Sequence, residues 1–533
     1  MSRRFNPRIP LMRYPSVIKA PVERDYTGVA GYFVSAIREM AVSENSPLSK
    51  TALLHAAQCQ KRLALEALHP EERDPLELPD RMRMRLGQLV GLEARKRYPG
   101  GSVGRVPDSY AASIQRTQDL IAGGAKVIYE AAFEAQGVRV VADILVRRQA
   151  GWRLIEVKST SEPKPEHLLD VAIQIHTLRQ SGLQPESAAL LHLNKEYVRR
   201  GALDYEALFA ETLLSAEVDE LQREVERIIG ISRATLESGS VPDIPIGPYC
   251  HDPVDCDFIG HCWQDVPSPS VFDVYYIGGK AYDLYAQGVE RIEDIPRGYP
   301  LDRRSSFHVA AHKTGEVIVK GEELRHFLAE LDYPLYYMDF ETFAFPIPPF
   351  DGLRPYEKVP FQYSLHVQRA PGGRLEHSGY LAQAGDDPRR HFIAQLLEET
   401  AGAGSIVVYF APFERGVLES LARWFPEYRA AIEGQLEKFI DLIVPFRQRL
   451  YWHPGMGGSN SLKRVLPIFA PDLSYEDLEI GDGEEAMAVF LSLEEEGDPD
   501  RVAALRQSLW KYCALDTLAM VRIVDGLRKA AGP

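Results

Sequence analysis

The stretch Tyr336-Tyr-Met-Asp-Phe-Glu-Thr342 limits what this chain can become more than any other. It is a short aromatic and apolar run that carries two acids, Asp339 and Glu341, and is fenced by Pro334 and Pro346. Such a run predicts a strand, and strand side chains alternate, so both acids point to one face. Two carboxylates together in apolar surroundings repel, and each loses hydration. A divalent cation offsets both costs. The alternative is a strand edge with two solvated acids.

The chain has 533 residues, more than one core organises, so two or three domains are expected. Its 45% apolar content is that of a globular protein, and its net charge of −15 argues against a protein that coats nucleic acid by charge alone. Clustered metal-binding acids and local basic patches remain compatible with that sum. Five cysteines are too few and too uneven for a secreted disulfide framework. No apolar run reaches membrane-spanning length, and Arg3-Arg4-Phe5 is followed by no apolar segment. The expectation is a soluble cytoplasmic protein without a membrane partner.

Residues 1 to about 45 carry prolines and few regular patterns, and are expected to wrap the domain that follows. Ser49 is predicted to cap a helix running through Cys59 to residue 63. A second helix over 81–98 contains Glu93 and ends at Pro99-Gly-Gly101, and a third covers about 113–122. Strands over 126–133 and 138–146 pair across a turn at Gly137, and a third strand covers 152–158. Asp143 lies on one of these strands, and Glu156 and Lys158 share a face of the next. Two acids can hold Mg²⁺ or Mn²⁺, and a lysine beside them can orient or help deprotonate an attacking water. A surface ion pair across a hairpin is the alternative. The apolar neighbours Val141, Ala142, Ile144, Ile155 and Val157 instead place the acids near buried strand segments.

The order Glu93, Asp143, Glu156-Val-Lys158, followed by Gln174, resembles the RecB-like branch of the PD-(D/E)XK nuclease superfamily. The resemblance implies a restriction-endonuclease-like α/β core, a metal held by Asp143 and Glu156, and catalytic roles for Glu93, Asp143, Glu156, Lys158 and Gln174. That branch continues Gln-x-x-x-Tyr, and this chain has Leu178 in the Tyr position. A long charged helix is predicted over about 203–238, and after it come Cys250, Cys256 and Cys262 in one loop-rich tract. With Cys59 they make four thiols, the number a tetrahedral metal or an iron–sulfur cluster needs. The layout resembles the iron–sulfur RecB-like nucleases and implies a [4Fe–4S] cluster on Cys59, Cys250, Cys256 and Cys262. Zn²⁺ is the alternative, with His251 and His261 able to substitute as ligands. Residues 266–327 read as a helical connector: a helix from Ala281, a turn at Gly288 and a second short helix to Ile295. A structural hairpin and a phosphate-gripping helix-hairpin-helix both fit that pattern.

From about residue 328 strands and helices alternate. Strands over 361–368 and 375–383 extend a meander from the Asp339 strand, a helix covers 391–400, and an apolar strand covers 406–410. Glu414 falls at the start of a helix running to Trp424, where a carboxylate is electrostatically favoured. Asp441 sits in an apolar run, Lys463 follows a helix start, and Tyr512 and Asp516 are one helical turn apart. Cys513 reads as a helix-packing residue. This order resembles the DnaQ-like DEDD exonucleases of the Tyr-containing type, on a ribonuclease H-like fold. It implies that Asp339, Glu341, Glu414 and Asp516 bind two divalent ions while Tyr512 positions the attacking water. Two metals about 4 Å apart would stabilise the entering and leaving oxygens of an in-line displacement. Glu414 stands where that family usually has Asp, and Phe410 where it has Asn, which makes Asp441 a reserve candidate. The whole arrangement, a RecB-like domain over 1–265, the connector and a DEDD-type domain over 328–533, resembles a poorly characterised bacterial family. The implied function is metal-dependent hydrolysis of DNA, single-stranded or with free ends, at two centres, in repair or phage defence. An RNA 3′ exonuclease and a nucleic-acid-binding protein with one decayed centre are the alternatives.

Overall fold

Alternating and apolar runs build a first sheet early in the chain, whose computed structural model describes residues 47–532. The expected wrap by residues 1 to about 45 lies outside the described residues. The strands are Leu48–Ser49 (β1), Ser102–Val103 (β2), Val127–Ala135 (β3), Val138–Arg147 (β4), Trp152–Val157 (β5), Pro185–Leu193 (β6) and Phe209–Leu213 (β7). They lie in the order β2-β3-β4-β5-β6-β7, with β1 parallel beside β4. The β3–β4 turn needs left-handed backbone at both Gln136 (φ 48°) and Gly137 (φ 66°), the geometry of a two-residue hairpin turn. β5 runs parallel to β6, and the crossover between them holds the Pro165–Gln180 helix. That helix is buried nearly all round, including the polar Asp170 and Gln174, so both side chains must find partners inside the protein. It packs with the Lys50–Gln58 and Gln222–Glu237 helices on one face of the sheet, and the Leu78–Arg95 helix covers the other.

Ile318–Val319 (β8) belongs to the connector and pairs with Tyr451–Trp452 (β14) of the second half. The second large sheet has Leu335–Ala344 (β9), Lys358–Gln368 (β10), Leu375–Leu381 (β11), Ile406–Val408 (β12) and Phe439–Asp441 (β13). Its order is β11-β10-β9-β12-β13; the first three strands are antiparallel, and β12 and β13 run parallel to β9. β9 is therefore central, and Asp339 and Glu341 sit mid-sheet. The Pro499–Ala531 helix buries Met520, Ile523, Val524 and Leu527 against this sheet, each contributing roughly 1.5–3 kcal/mol. The Arg389–Glu399 and Pro412–Trp424 helices seal the opposite face. The protein is thus a mixed α/β structure with two principal sheets, and no helix among the described residues is long and apolar enough to cross a membrane.

Four local expectations change. The helix begun at Ser49, whose side chain accepts from the Ala52 amide, stops at Gln58. Cys59 takes extended backbone (φ −159°, ψ 121°), and a new helix starts at Gln60; the break turns the thiol out of the helical stack. The charged stretch over 203–238 is not one helix, because β7 interrupts it: Phe209 is buried while Glu211 and Thr212 stay partly exposed, as an edge strand allows. Between Ala281 and Ile295 the connector has one α-helix, Lys280–Ala286, and then a 3₁₀ turn, Ile292–Asp294, in place of the second short helix, so the helix-hairpin-helix expected there is not formed. The strand expected to reach Phe410 ends at Val408, and Phe410 adopts left-handed backbone (φ 75°). The cause is Asp441, whose carboxylate accepts from the Phe410 (2.9 Å) and Ala411 (3.1 Å) amides and pulls the chain into a turn.

Candidate metal centres

The long Pro499–Ala531 helix is docked on β10 by polar contacts that fix its rotation. Gln362 Nε2 donates to the Leu509 carbonyl (2.8 Å), and Thr517 Oγ1 bonds Ser364 Oγ and His366 Nδ1 (2.7 Å each). Ser364 lies opposite Asp339 and Gln362 opposite Glu341 in the β9–β10 register. Tyr512, Cys513 and Asp516 are thereby brought over the Asp339–Glu341 face of β9. The Cys513 thiol lies 3.8 Å from Asp339 Oδ2, and single ligand atoms of Asp339, Glu341 and Cys513 all fall within 4.8 Å of one another. Glu414, third residue of the Pro412–Trp424 helix, is 1% exposed and turns toward the same carboxylates. Among the described residues its Oε2 has no hydrogen-bond partner.

Charge at this centre is poorly balanced. Burial, then the charges of Asp516, Glu341 and Glu414, hold the Asp339 carboxyl well above the usual range. Burial and then Asp516 do the same to Glu341, against the pull of Lys463. Burial pushes Glu414 up to about 8, helped by Asp441 and opposed by its own helix-start amide. Burial pushes Asp516 up to about 7, although the Tyr475 hydroxyl donates to Asp516 Oδ1 (2.6 Å) and Lys463 lies near. Three buried carboxylates and the half-buried Asp339 thus face one ammonium group among the described residues, and Lys463 also donates to the Gly481 carbonyl. The Cys513 thiol is raised well above its usual range by burial and by Asp339, Glu341 and Asp516, so it stays an S–H donor to Asp339, and the ligand atoms available to a hard cation are the carboxylate oxygens. Cys513 is fully buried, as its packing role requires, but it also belongs to this centre. Asp441, the reserve candidate, is committed to the amides of Phe410, Ala411 and Ile443 and holds the loop that presents Glu414.

The second constellation lies on β4 and β5. Ile144 opposes Ile155, which sets Asp143 across from Glu156. Asp143 Oδ2 accepts from the Val157 amide (2.8 Å). Lys158 Nζ bridges Glu156 Oε1 (2.9 Å) and Asp170 Oδ2 (2.5 Å), and Gln174 Nε2 donates to Glu156 Oε2 (2.7 Å) and Asp170 Oδ1 (2.9 Å). Two members escaped the sequence reading. Lys50, at the start of a helix more than a hundred residues upstream, reaches Glu156 Oε1 (2.9 Å) and Asp170 Oδ1 (2.8 Å). Asp170 stands one turn before Gln174, a spacing that could have pointed to it. Burial opposes the Lys50 and Lys158 charges, but Glu156 and Asp170 outweigh it and hold both ammonium groups above their usual range. Asp170 is also buried, yet both lysines hold its carboxyl well below the usual range. Burial and then Glu156 push Asp143 up to about 7. Three carboxylates here face two ammonium groups, a much better balance than at the β9 centre.

Glu93 does not join this group. Its carboxylate accepts from Lys96 Nζ (2.8 and 2.9 Å) and neighbours Tyr205. The Leu78–Arg95 helix turns Gly87 toward Ser159, just after β5, and Glu93 is six residues on, about 240° further round the helix.

The four cysteines predicted as a set line one cavity, with Lys61, Arg62 and Tyr249, and none is in a disulfide. Gln58 Nε2 donates to the Tyr249 and Val254 carbonyls (2.7 Å each) and Arg62 Nε to Asp257 (2.8 Å), tying the Cys59 break to the distant loop. Burial pushes the Cys256 thiol up to about 11, and burial raises Cys262 against the pull of Lys61. No three of these sulfurs lie mutually within 4.8 Å. His251 pairs with Asp255 (2.7 Å) and His261 with Glu72 (3.1 Å), so both imidazoles are engaged elsewhere.

No curated protein matches this chain. Residues 336–461, which carry Asp339, Glu341, Glu414 and Asp441 but stop short of Lys463, Tyr512 and Asp516, are similar to a family described as a domain of unknown function, DUF2779.

Proposed function

We propose that this protein is a metal-dependent nuclease that hydrolyses phosphodiester bonds of DNA, with its principal centre at Asp339, Glu341, Glu414 and Asp516. One observation carries the reading: four carboxylates from β9 and two helices, three of them buried, converge around a single lysine among the described residues, and one oxygen of Glu414 has no partner there. Buried uncompensated negative charge of that kind is costly unless a cation completes it. The antiparallel β11-β10-β9 with parallel β12 and β13 supports a ribonuclease H-like reading of the second half, and the β4–β5 hairpin with its Glu156-Val-Lys158 supports a PD-(D/E)XK reading of the first.

Mg²⁺ or Mn²⁺ on those four carboxylates would supply positive charge to the entering and leaving oxygens of a displacement at phosphorus. The chain's own groups do the rest. Tyr512 is held protonated by burial and by Asp516, Glu341 and Asp339, so its phenol donates a hydrogen bond and orients a water. Lys463, over the Tyr475 and Tyr512 rings (5.6 and 5.9 Å), holds positive charge beside Glu341 and Asp516. At the second centre, Asp143 and Glu156 would hold one cation, and Lys50 and Lys158 are placed to meet phosphate oxygens. Cys59, Cys250, Cys256 and Cys262 would hold a [4Fe–4S] cluster that pins the two ends of the first half together. Zn²⁺, held tetrahedrally by sulfurs at ~2.3 Å, is the alternative occupant.

The test is anaerobic purification, a visible spectrum, and cleavage assays on labelled single- and double-stranded DNA and RNA with Mg²⁺ or Mn²⁺. Asp339→Asn and Glu156→Gln are run beside the wild type. The expected result is a brown protein whose DNA cleavage is lost in Asp339→Asn and reduced in Glu156→Gln. Cleavage untouched by either substitution overturns the assignment, and preference for RNA transfers it to the other nucleic acid.

A further inference from the structure

On a chain with fifteen more acids than bases, four arginines stand together on one surface. Arg303 and Arg304 open the Arg303–Thr314 helix of the connector, and Arg447 and Arg449 follow β13. Among the described residues none of the four side chains makes an ion pair. Asp302, beside Arg304, spends its carboxylate on the Arg304 and Ser305 amides (2.7 and 2.8 Å). Burial and the charges of Arg303 and Arg304 hold the Arg449 guanidinium below its usual range, as repelling neighbours must.

Aromatic rings are interleaved with these charges. Arg304 lies over Tyr276 (4.7 Å), Arg447 over Phe410 (4.9 Å) and Arg449 over Phe307 (3.9 Å). Tyr275 joins the pairs: its ring is 4.4 Å from that of Tyr276, and the charges of Arg304 and Arg447 both reach its phenol. Tyr276 and Phe410 are exposed (60% and 42%) and both hold left-handed backbone (φ 60° and 75°), a conformation uncommon for bulky residues. The surface is built firmly. His308 Nδ1 accepts from the Tyr275 amide (3.0 Å) and Ser305 Oγ donates to its carbonyl (2.9 Å). Gly458 (φ 75°) packs so closely that a Cβ would come 2.4 Å from the His308 ring. At one end Phe410 lies four residues before Glu414.

We infer that Tyr276, Arg304, Phe410 and Arg447 form a track for single-stranded nucleic acid that leads a strand end into the acidic centre on β9. The destination rests on the nuclease reading; the binding does not. Exposed ring faces stack on unpaired bases while arginines take phosphates. A duplex keeps its base faces covered, and an acidic peptide would use the arginines and leave the rings idle.

Binding is measured on the full chain in EDTA, by anisotropy of a fluorescent oligothymidylate of about 20 nucleotides, longer than the ~16 one binding fold covers. Replacing Arg304 and Arg447 together by Ser should weaken binding and flatten the salt dependence by about 0.7 in log–log slope per arginine. Phe410→Asn should weaken binding about tenfold while Tm holds or rises, because Asn tolerates left-handed backbone; lost folding cannot produce that split. Unchanged affinity in both variants overturns the track, as does equally tight binding of polyglutamate at the same salt. A wild type that cleaves while these variants bind normally sinks the track and spares the nuclease reading. A protein that binds through the track and never cleaves does the reverse.

Discussion

Asp516→Asn should make the metal-free protein more stable, not less. The carboxyl of Asp516 is 6% exposed, and its pKa rises from 3.8 to about 7, chiefly by burial. Folded protein therefore binds more protons than unfolded protein between those two values, and stability falls as pH rises through that window. At ~1.36 kcal/mol per unit, the full window costs roughly 4 kcal/mol by pH 8. Asn cannot ionise, keeps an oxygen for the Tyr475 hydroxyl bond, and places its amide among Asp339 and Glu341, which accept. The variant and wild type should match near pH 4 in EDTA, and the variant should lead by about 2–4 kcal/mol at pH 8. Chemical denaturation across that range measures the difference. Adding Mn²⁺ should raise the wild-type midpoint, most at high pH where the carboxylates are ionised, and should move the variant little. A variant less stable than wild type at pH 8 in EDTA, or equally stabilised by Mn²⁺, would refute the idea that these acids form a cation site held under repulsion.

Other substitutions probe the supporting groups. Asp441→Asn sets an amide N–H₂ against the Phe410 or Ala411 N–H; it should cost about 1–3 kcal/mol and slow cleavage roughly 10- to 100-fold by shifting Glu414. Denaturation and initial rates check the two effects separately. Asp170→Asn leaves Lys50 and Lys158 competing for Glu156, an expected loss of about 3 kcal/mol in denaturation. Because Asp170 is held below the usual carboxylate range, that loss should be complete above pH ~4 and shrink below it. Cys256→Ser should abolish visible absorption of anaerobically purified protein and lower Tm, since metal-binding energy is folding energy; a colourless, zinc-loaded wild type contradicts the cluster.

The legible parts of the centres were those written in local periodicity. Alternation put Asp339 beside Glu341 and Glu156 beside Lys158, and the four-residue helical step put Tyr512 beside Asp516. The four thiols were countable. What stayed hidden depended on chain reversal. Lys50 reaches Glu156 only because β1 pairs with β4 and starts its helix beside the sheet. Tyr475 reaches Asp516 from a loop with no periodic signal. Asp441 looked like a ligand in an apolar run, and only the fold shows its oxygens facing three backbone amides. Glu93 was expected beside Asp143 from chain order alone, and its angular position on the helix turns it to Lys96 instead. Cys59 ends a helix that propensity alone continues, because its neighbours Gln58 and Arg62 are bonded to the distant cysteine loop.

Ile347 comes from the β9–β10 loop yet is buried in the core cluster of Val90, Ile155 and Leu191. Arg199 answers from the other side, donating to the Pro348 and Pro349 carbonyls (2.8 and 2.7 Å). The halves are therefore joined by a buried apolar anchor and by hydrogen bonds, and do not hang on a hinge. Cutting the gene between them would leave an open greasy wound on each fragment. Selection that relaxed on one half would still have to keep the surface on which the other leans.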